Sequence, residues 1–312
     1  MIDKANFKIV FFGTPEFAVT SLQAILENGF NVVAVVTAPD KPAGRGYELQ
    51  QSAVKKFAVS KNLPVLQPTN LKADEFYNEL KSYDANLQIV IAFRMLPEKI
   101  WNMSPMGTFN LHASYLPNYR GAAPINWAII NGEKATGVTT FFLKHEIDTG
   151  SIILQEKVNI EAKDNAGTLH DKLMERGAGL VITSLNKILE GNLVLTEQLA
   201  GDFKHAPKLF TEHCAINWEH TAEQVNNLIR GLSPYPASFT TINGKKLKIF
   251  EAEITDFVST QAGKVEIVGK QLLIHCSDYQ LSLLQIQPEG KKRMPVNDYL
   301  NGFRITQPTI AQ

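Results

Sequence analysis

Between Phe7 and Phe12 the chain is a short apolar run that stops at Gly13-Thr14-Pro15. A half-buried strand alternates apolar and polar, so a run apolar on successive positions fits a strand covered on both faces, as in a parallel sheet flanked by helices. Thr14 as N-cap and Pro15 in the first turn then open a helix, and Asn28-Gly29 supplies its stop. Asn31 to Thr37 and Leu87 to Phe93 are two further runs of this kind, with helical stretches around Ser52 to Lys61 and Ala73 to Ser82 between them. Met106 to His112, Gly137 to Leu143 and Gly150 to Ile160 read as more strands, and Asn165 to Leu189 as a long helix ended by Gly191. Strand alternating with helix predicts an α/β domain on a mostly parallel sheet.

The pattern changes after about Gly201. One helix near Thr221 to Gly231 precedes short β-rich segments punctuated by Asn243-Gly244, Gly263, Gly269, Ser277-Asp278 and Glu289-Gly290. Asn-Gly between TTI and KKLKIF is a strong hairpin signal. We therefore expect two domains, 1–204 and a small β domain, 205–312. No internal repeat or low-complexity tract interrupts them.

Charge narrows the function classes. The 31 basic and 31 acidic side chains cancel, so bulk charge announces no nucleic-acid partner. Two cysteines, Cys214 and Cys276, have neither metal-ligand spacing nor a disulfide framework, which fits a reduced compartment. The first residues lack the apolar stretch of a signal peptide, and no run approaches membrane-spanning length. A cytoplasmic protein with no membrane association is expected.

Thr108-Phe109-Asn110-Leu111-His112 is the most informative stretch for chemistry. Strand alternation puts Asn110 and His112 on one face and Phe109 and Leu111 on the other. The strand runs into a polar loop, Ala113 to Pro124, and ligands of open α/β sheets bind beyond the carboxyl ends of strands. An amide and an imidazole there can donate to an oxygen that is gaining charge, and histidine can also move a proton near neutral pH. The competing interpretation is a histidine that merely bonds a loop carbonyl. Asp148, in His145-Glu146-Ile147-Asp148-Thr149-Gly150, should lie in a tight turn at another strand's end. A carboxylate near His112 would orient the ring and favour its protonated form, whereas an isolated Asx-turn would bond only its own backbone. A second Asp-Thr-Gly, needed for an aspartic protease, is absent. So are a Gly-x-Gly-x-x-Gly fingerprint, a Walker motif, His-Glu-x-x-His and Gly-x-Ser-x-Gly; neither a metal nor a covalent nucleophile is indicated.

Basic residues are confined to patches. Pro39 to Gly46 is a glycine-containing loop with Lys41 and Arg45, and Arg45 suits a phosphate. Lys245, Lys246 and Lys248, and Lys291, Lys292 and Arg293, lie in the β domain. From Leu209 to Gln312 ten Lys/Arg meet ten Asp/Glu, so an RNA-binding face there requires segregation of charge.

Taken together, these motifs resemble the folate-dependent formyltransferases. Asn110-Leu111-His112 is similar to the family's catalytic Asn-x-His, and Asp148-Thr149-Gly150 to its catalytic Asp-Thr-Gly. Ser114-Tyr115-Leu116-Pro117 with Arg120-Gly121-Ala122-Ala123-Pro124 resembles the intervening segment. Phe12 to Ala18, Pro39 to Gly46, Pro288 to Met294 and Asp298 to Asn301 extend the resemblance over essentially the whole chain. Tyr115 stands where leucine is usual, Ala113 where glycine is common, and Ala92 to Pro97 replaces a longer stretch.

The resemblance implies a Rossmann-like catalytic domain and a C-terminal OB-like β-barrel. It implies 10-formyltetrahydrofolate as formyl donor, with no metal, and Asn110, His112 and Asp148 as catalytic residues. Folate contacts would come from Phe93, Leu96, Ser114, Tyr115, Leu116 and Pro117. The implied acceptor is the amino group of methionine on initiator tRNA, met by Lys41 and Arg45, in a protein expected to be a monomer. Two other readings stay open here: transfer to a small amine, such as an aminosugar nucleotide or glycinamide ribonucleotide, and an RNA-binding module with a degenerate enzyme domain.

Overall fold

The computed structural model describes residues 3–43, 48–302 and 309–312. The chain divides into two compact units. One comprises Met1–Gly121, Thr136–Val158 and His170–His205, and the other Ala122–Ala135, Asn159–Leu169 and Ala206–Gln312.

The first elements are β1 (Lys8–Gly13), α1 (Glu16–Glu27), β2 (Asn31–Val36), β3 (Lys41–Ala43), β4 (Glu48–Gln50), α2 (Ala53–Ser60), β5 (Val65–Leu66) and α3 (Asp74–Ser82). They are followed by β6 (Leu87–Ile91), α4 (Glu98–Trp101), β7 (Thr108–His112), β8 (Arg120–Gly121), α5 (Pro124–Ile130), β9 (Ala135–Phe142), β10 (Ile152–Asn159) and α6 (Ala166–Glu190). One seven-stranded sheet runs β10-β9-β7-β6-β1-β2-β5. Pairings from β7 through β6, β1 and β2 to β5 are parallel, and β9 joins β7 antiparallel. The apolar run is an interior strand of this sheet, between β6 and β2: Ile9, Val10, Phe11 and Phe12 are all fully buried, as a strand covered on both faces must be. One face packs Val10, Phe12, Ala34, Val36 and Val90 with Phe76, Leu80 and Ile100 of α3 and α4. On the other face Gly177 of α6 lies against Leu111, too close for a Cβ.

Local expectations fail at the edges. Thr14 does not cap α1; the helix begins at Glu16 with Pro15 in the N-cap position and no side-chain cap. Proline cannot donate an N–H and has a fixed φ, so it ends the extended segment without help from Thr14. The short elements β5, α4 and α5 carry too few residues for a period to show in the sequence.

Two segments from the first 204 residues, 122–135 and 159–169, belong to the second unit. Its helix α7 (Ala222–Leu232) has a capping box between Thr221 and Gln224 and packs on α5. Gly231 permits that approach, since a Cβ there would meet Ile130 Cγ1 at 2.6 Å, and Asn126 Nδ2 donates to the Gly231 carbonyl at 2.8 Å. Following β11 (His205–Ala206), the strands are β12 (Ser238–Ile242), β13 (Lys245–Val258), β14 (Lys264–Val268), β15 (Gln271–His275), β16 (Tyr279–Pro288), β17 (Met294–Pro295) and β18 (Thr309–Ile310), with helix α8 (Val296–Leu300) before the last. Asn243 and Gly244 take φ 51° and 73°, the left-handed pair that a tight hairpin requires between β12 and β13. The sheet order is β12-β13-β16-β15-β14-β18, and backbone hydrogen bonds of 2.6 and 2.9 Å between Thr241 and Gln312 bring its end back to β12. This is the expected OB-like curled antiparallel barrel. Trp218, Val225, Ile229, Leu247, Ile249, Leu272 and Leu283 form its core.

Both cysteines lie in this unit and both are buried. Burial raises the Cys214 thiol and pushes the Cys276 thiol up to about 12. The thiolate is the reactive form, so iodoacetamide at pH 8 should label neither cysteine in the folded protein and both after denaturation. Mass spectrometry of intact protein checks this; equal labelling in both states would contradict it. Among the described residues, no helix is long and apolar enough to cross a membrane.

Candidate active site

β7 delivers Asn110 and His112 to one face of the sheet, at the strand's carboxyl end. In the β7–β9 register Asn110 lies opposite Phe141 and His112 opposite Thr139. Asn110 is half-buried, and its side-chain amide has no hydrogen-bond partner among the described residues. His112 is buried, with Nε2 2.8 Å from the Tyr119 carbonyl oxygen. A carbonyl only accepts, so Nε2 carries the proton and Nδ1 is left to exchange one. His112 thus does bond a loop carbonyl, yet its second nitrogen faces a carboxylate: Nδ1 lies 3.8 Å from Asp148 Oδ2.

Asp148 occupies a left-handed turn, φ 56°, which aspartate tolerates better than most residues. Its Oδ2 accepts the Gly121 N–H at 2.9 Å, so the carboxylate is tied to the loop following β7 and to more than its own turn. Gly150 ends the turn where a Cβ would lie 1.6 Å from the Phe142 carbonyl oxygen; only glycine fits.

The loop itself is strapped to the sheet. Thr139 Oγ1 donates to the Ser114 carbonyl at 2.7 Å and accepts from the Leu116 N–H at 3.2 Å, and Gln155 Nε2 donates to the Leu116 carbonyl at 2.7 Å. Ser114 is buried and its hydroxyl donates to the Asn118 carbonyl at 2.7 Å, while Leu116 is buried and Tyr115 exposed. Phe93 stacks edge-on with Phe12 at 5.6 Å, and Leu96 is buried in the same cluster. Of the six residues expected at the folate, Ser114, Leu116 and Leu96 are buried, Phe93 and Pro117 are half-buried, and Tyr115 is exposed.

Lys41 is exposed on β3, and Arg45 lies outside the described residues. The foot of their loop is fixed by Asp40, whose carboxylate accepts from Lys55 Nζ at 2.5 Å and Gln67 Nε2 at 2.7 Å. Those two bonds, Lys55 first, hold the Asp40 carboxyl below the usual range.

Sequence reasoning missed Gln198. It lies 50 residues beyond Asp148 in a segment without periodicity, and its amide bonds the carbonyls of Asp148 and Gly150 at 2.8 and 2.9 Å. Beside it a groove of about 610 Å³ is lined by Trp101, Arg120, Leu143, His145, Thr149 and Gln198, flanking the Asp148 turn. A hollow of about 620 Å³ lies around Gln88, Lys99 and Ser104, by the amino ends of β6 and β7 and so at the opposite end of these strands from His112.

An amide, an imidazole and a carboxylate gather where parallel strands end, the set of groups that the formyltransferase resemblance implied. The chain belongs to the formyl transferase family: the family model for formyl transferase matches residues 7–185, and that for the formyl transferase C-terminal domain matches 208–304. The methionyl-tRNA formyltransferase of Flavobacterium johnsoniae is 52% identical, with 96% of this chain and 98% of the relative covered. That of Bacteroides fragilis is 49% identical, with 97% of each covered. A solved sugar 3N-formyl transferase, crystallised with dTDP and 5-N-formyl-THF, shares the fold at TM-score 0.68 and 23% identity, covering 92% of this chain and 99% of its own.

Proposed function

We propose that the protein transfers the formyl group of 10-formyltetrahydrofolate to the amino group of methionine esterified to initiator tRNA, acting as a monomer in the cytoplasm. The observation that carries the chemistry is Asn110 beside His112 at the end of β7, with Asp148 3.8 Å from the histidine's free nitrogen. Identity of about half over nearly the full length of relatives bearing the methionyl-tRNA name supports the acceptor.

The amine nitrogen attacks the formyl carbon, and the former carbonyl oxygen takes up negative charge. Asn110 Nδ2, which has no partner among the described residues to leave, donates to that oxygen, and His112 donates from Nδ1 when that nitrogen carries a proton. Fixed donors need no reorganisation as the charge develops, which is why such groups lower the barrier. Collapse forms the new amide and breaks the bond to folate N10. One proton must leave the amine and one must reach N10; Asp148 is the carboxylate placed to relay it, through water. The donor rests against Phe93, Leu96 and the Ser114–Pro117 segment.

In this reading residues 1–204 form the catalytic domain and 205–312 hold the tRNA. Lys41 and Arg45 meet the acceptor end. In the barrel, Leu247 pairs with Pro288, so Lys245, Lys246 and Lys248 lie along the strand pair that leads into Lys291, Lys292 and Arg293. Lys246 Nζ rests 3.5 Å from the centre of the Phe239 ring and the Arg293 guanidinium 4.6 Å from that of Phe250. Incubation with 10-formyltetrahydrofolate and charged initiator tRNA should yield formylmethionyl-tRNA, with an aminosugar nucleotide left unmodified. Formylation of the sugar and not of the tRNA would reject the acceptor while keeping the chemistry.

A further inference from the structure

We infer that Gln198 is a positioning residue for this reaction: held by Arg120, its side-chain amide locks the Asp148–Gly150 turn so that the Asp148 carboxylate faces His112. The inference rests on the catalytic reading of Asp148 given above.

The segment carrying Gln198 is pinned on both sides of the chain. Thr196 exchanges backbone hydrogen bonds of 2.7 and 3.0 Å with Ile152 at the start of β10. Glu197 accepts from Ser151 Oγ at 2.6 Å and from Lys144 Nζ at 2.8 Å. Gln198 then projects, half-buried, between Arg120 and the turn. Arg120 donates to Gln198 Oε1 from Nε at 3.0 Å and from Nη2 at 2.6 Å. A guanidinium has no acceptor, so the oxygen end of the amide must face it. The NH₂ end is thereby aimed at the turn, where it donates to the carbonyls of Asp148 and Gly150.

The circuit closes through the backbone, because Asp148 Oδ2 accepts the N–H of Gly121, the residue after Arg120. One side chain therefore fixes the carbonyl end of Asp148 while the β7 loop fixes its carboxylate. Neither bond touches the substrate. Both set where Oδ2 sits relative to His112 Nδ1, and a displacement near 1 Å at such a contact can cost about 10²-fold in rate.

The test is a double-mutant cycle on the full-length protein with Gln198→Ala, Asp148→Asn and both together. Gln198→Ala should lower kcat roughly 10–100-fold, with KM for folate and tRNA within about threefold. In the Asp148→Asn background it should remove less than about a further twofold, since nothing remains to be positioned. Gln198→Glu guards against simple misfolding: it keeps the acceptor for Arg120 but turns a second oxygen toward two carbonyls, so the melting temperature should hold while kcat falls as with alanine. A Gln198→Ala kcat within twofold of the parent overturns the inference. So does a loss that multiplies in the double variant, which would mean that Gln198 acts independently of Asp148. Full activity of Asp148→Asn alone overturns the catalytic reading itself and is seen separately from either result.

Discussion

Replacing Asp148 by asparagine is expected to lower kcat by about 10²–10⁴-fold, the range for removing a positioned proton-transfer group, while the fold stays intact. Asparagine keeps an oxygen for the Gly121 N–H and the size of the side chain, so it deletes the charge and the basicity and little else. His112→Ala should be at least as severe, because the same ring both donates to the oxyanion and exchanges a proton; one such donor alone is worth roughly 10²–10³. The alanine variant is the less clean of the two. It also removes the donor to the buried Tyr119 carbonyl, an interaction whose loss typically costs about 1–3 kcal/mol. Asn110→Ala should cost about 10²–10³-fold and leave stability nearly unchanged, since its amide bonds nothing among the described residues. Single-turnover rates at saturating folate and tRNA, beside thermal melts, separate these effects. Turnover of Asp148→Asn within tenfold of the parent would remove Asp148 from the mechanism.

The contrast between these three residues shows how much of the site was legible. Asn110 and His112 could be paired from strand alternation alone, because the period of two is a property of the backbone and survives any context. Asp148 could not. Its turn conformation was foreseeable, but its partner, the Gly121 N–H, is set by where the loop after β7 brings β8, which no local spacing encodes. Gln198 was invisible for the same reason in stronger form: its role is made by Arg120, 78 residues earlier, and by two carbonyls 48 and 50 residues earlier. The parallel sheet and the barrel hairpin were readable because each follows from runs and turn chemistry within a dozen residues. The membership of 122–135 and 159–169 in the second unit was not, since it depends on α5 finding α7 across about a hundred residues of chain.

Gly150→Ala should be the most damaging single methyl group that can be added near the site. A Cβ built on Gly150 lies 1.6 Å from the Phe142 carbonyl oxygen, 2.8 Å from its carbon and 3.2 Å from Phe141 Cδ2. The first two atoms are backbone, so no rotamer change relieves the contact; either β9 or the turn must move. Phe142 is fixed in place by its N–H bond to the Ser151 carbonyl at 3.0 Å, and β9 is held along β7 by four register pairs. The turn yields, and Asp148 moves with it, dragging the carboxylate from Nδ1. Overpacking of this kind costs about 1–3 kcal/mol and more when the obstacle is backbone. At the upper figure the melting temperature should fall by roughly 6–12 °C. The rate, measured well below that transition, should fall by about 10²-fold. Gly179→Ala supplies the opposite sign: that glycine sits exposed in the middle of α6 with nothing within 4 Å of the new methyl group. There alanine should stabilise by about 0.5–1 kcal/mol through helix propensity and leave the rate alone. If Gly150→Ala melted and turned over like Gly179→Ala, the close approach of the Asp148 turn to β9 would not exist in solution, and the placement of Asp148 beside His112 would fall with it.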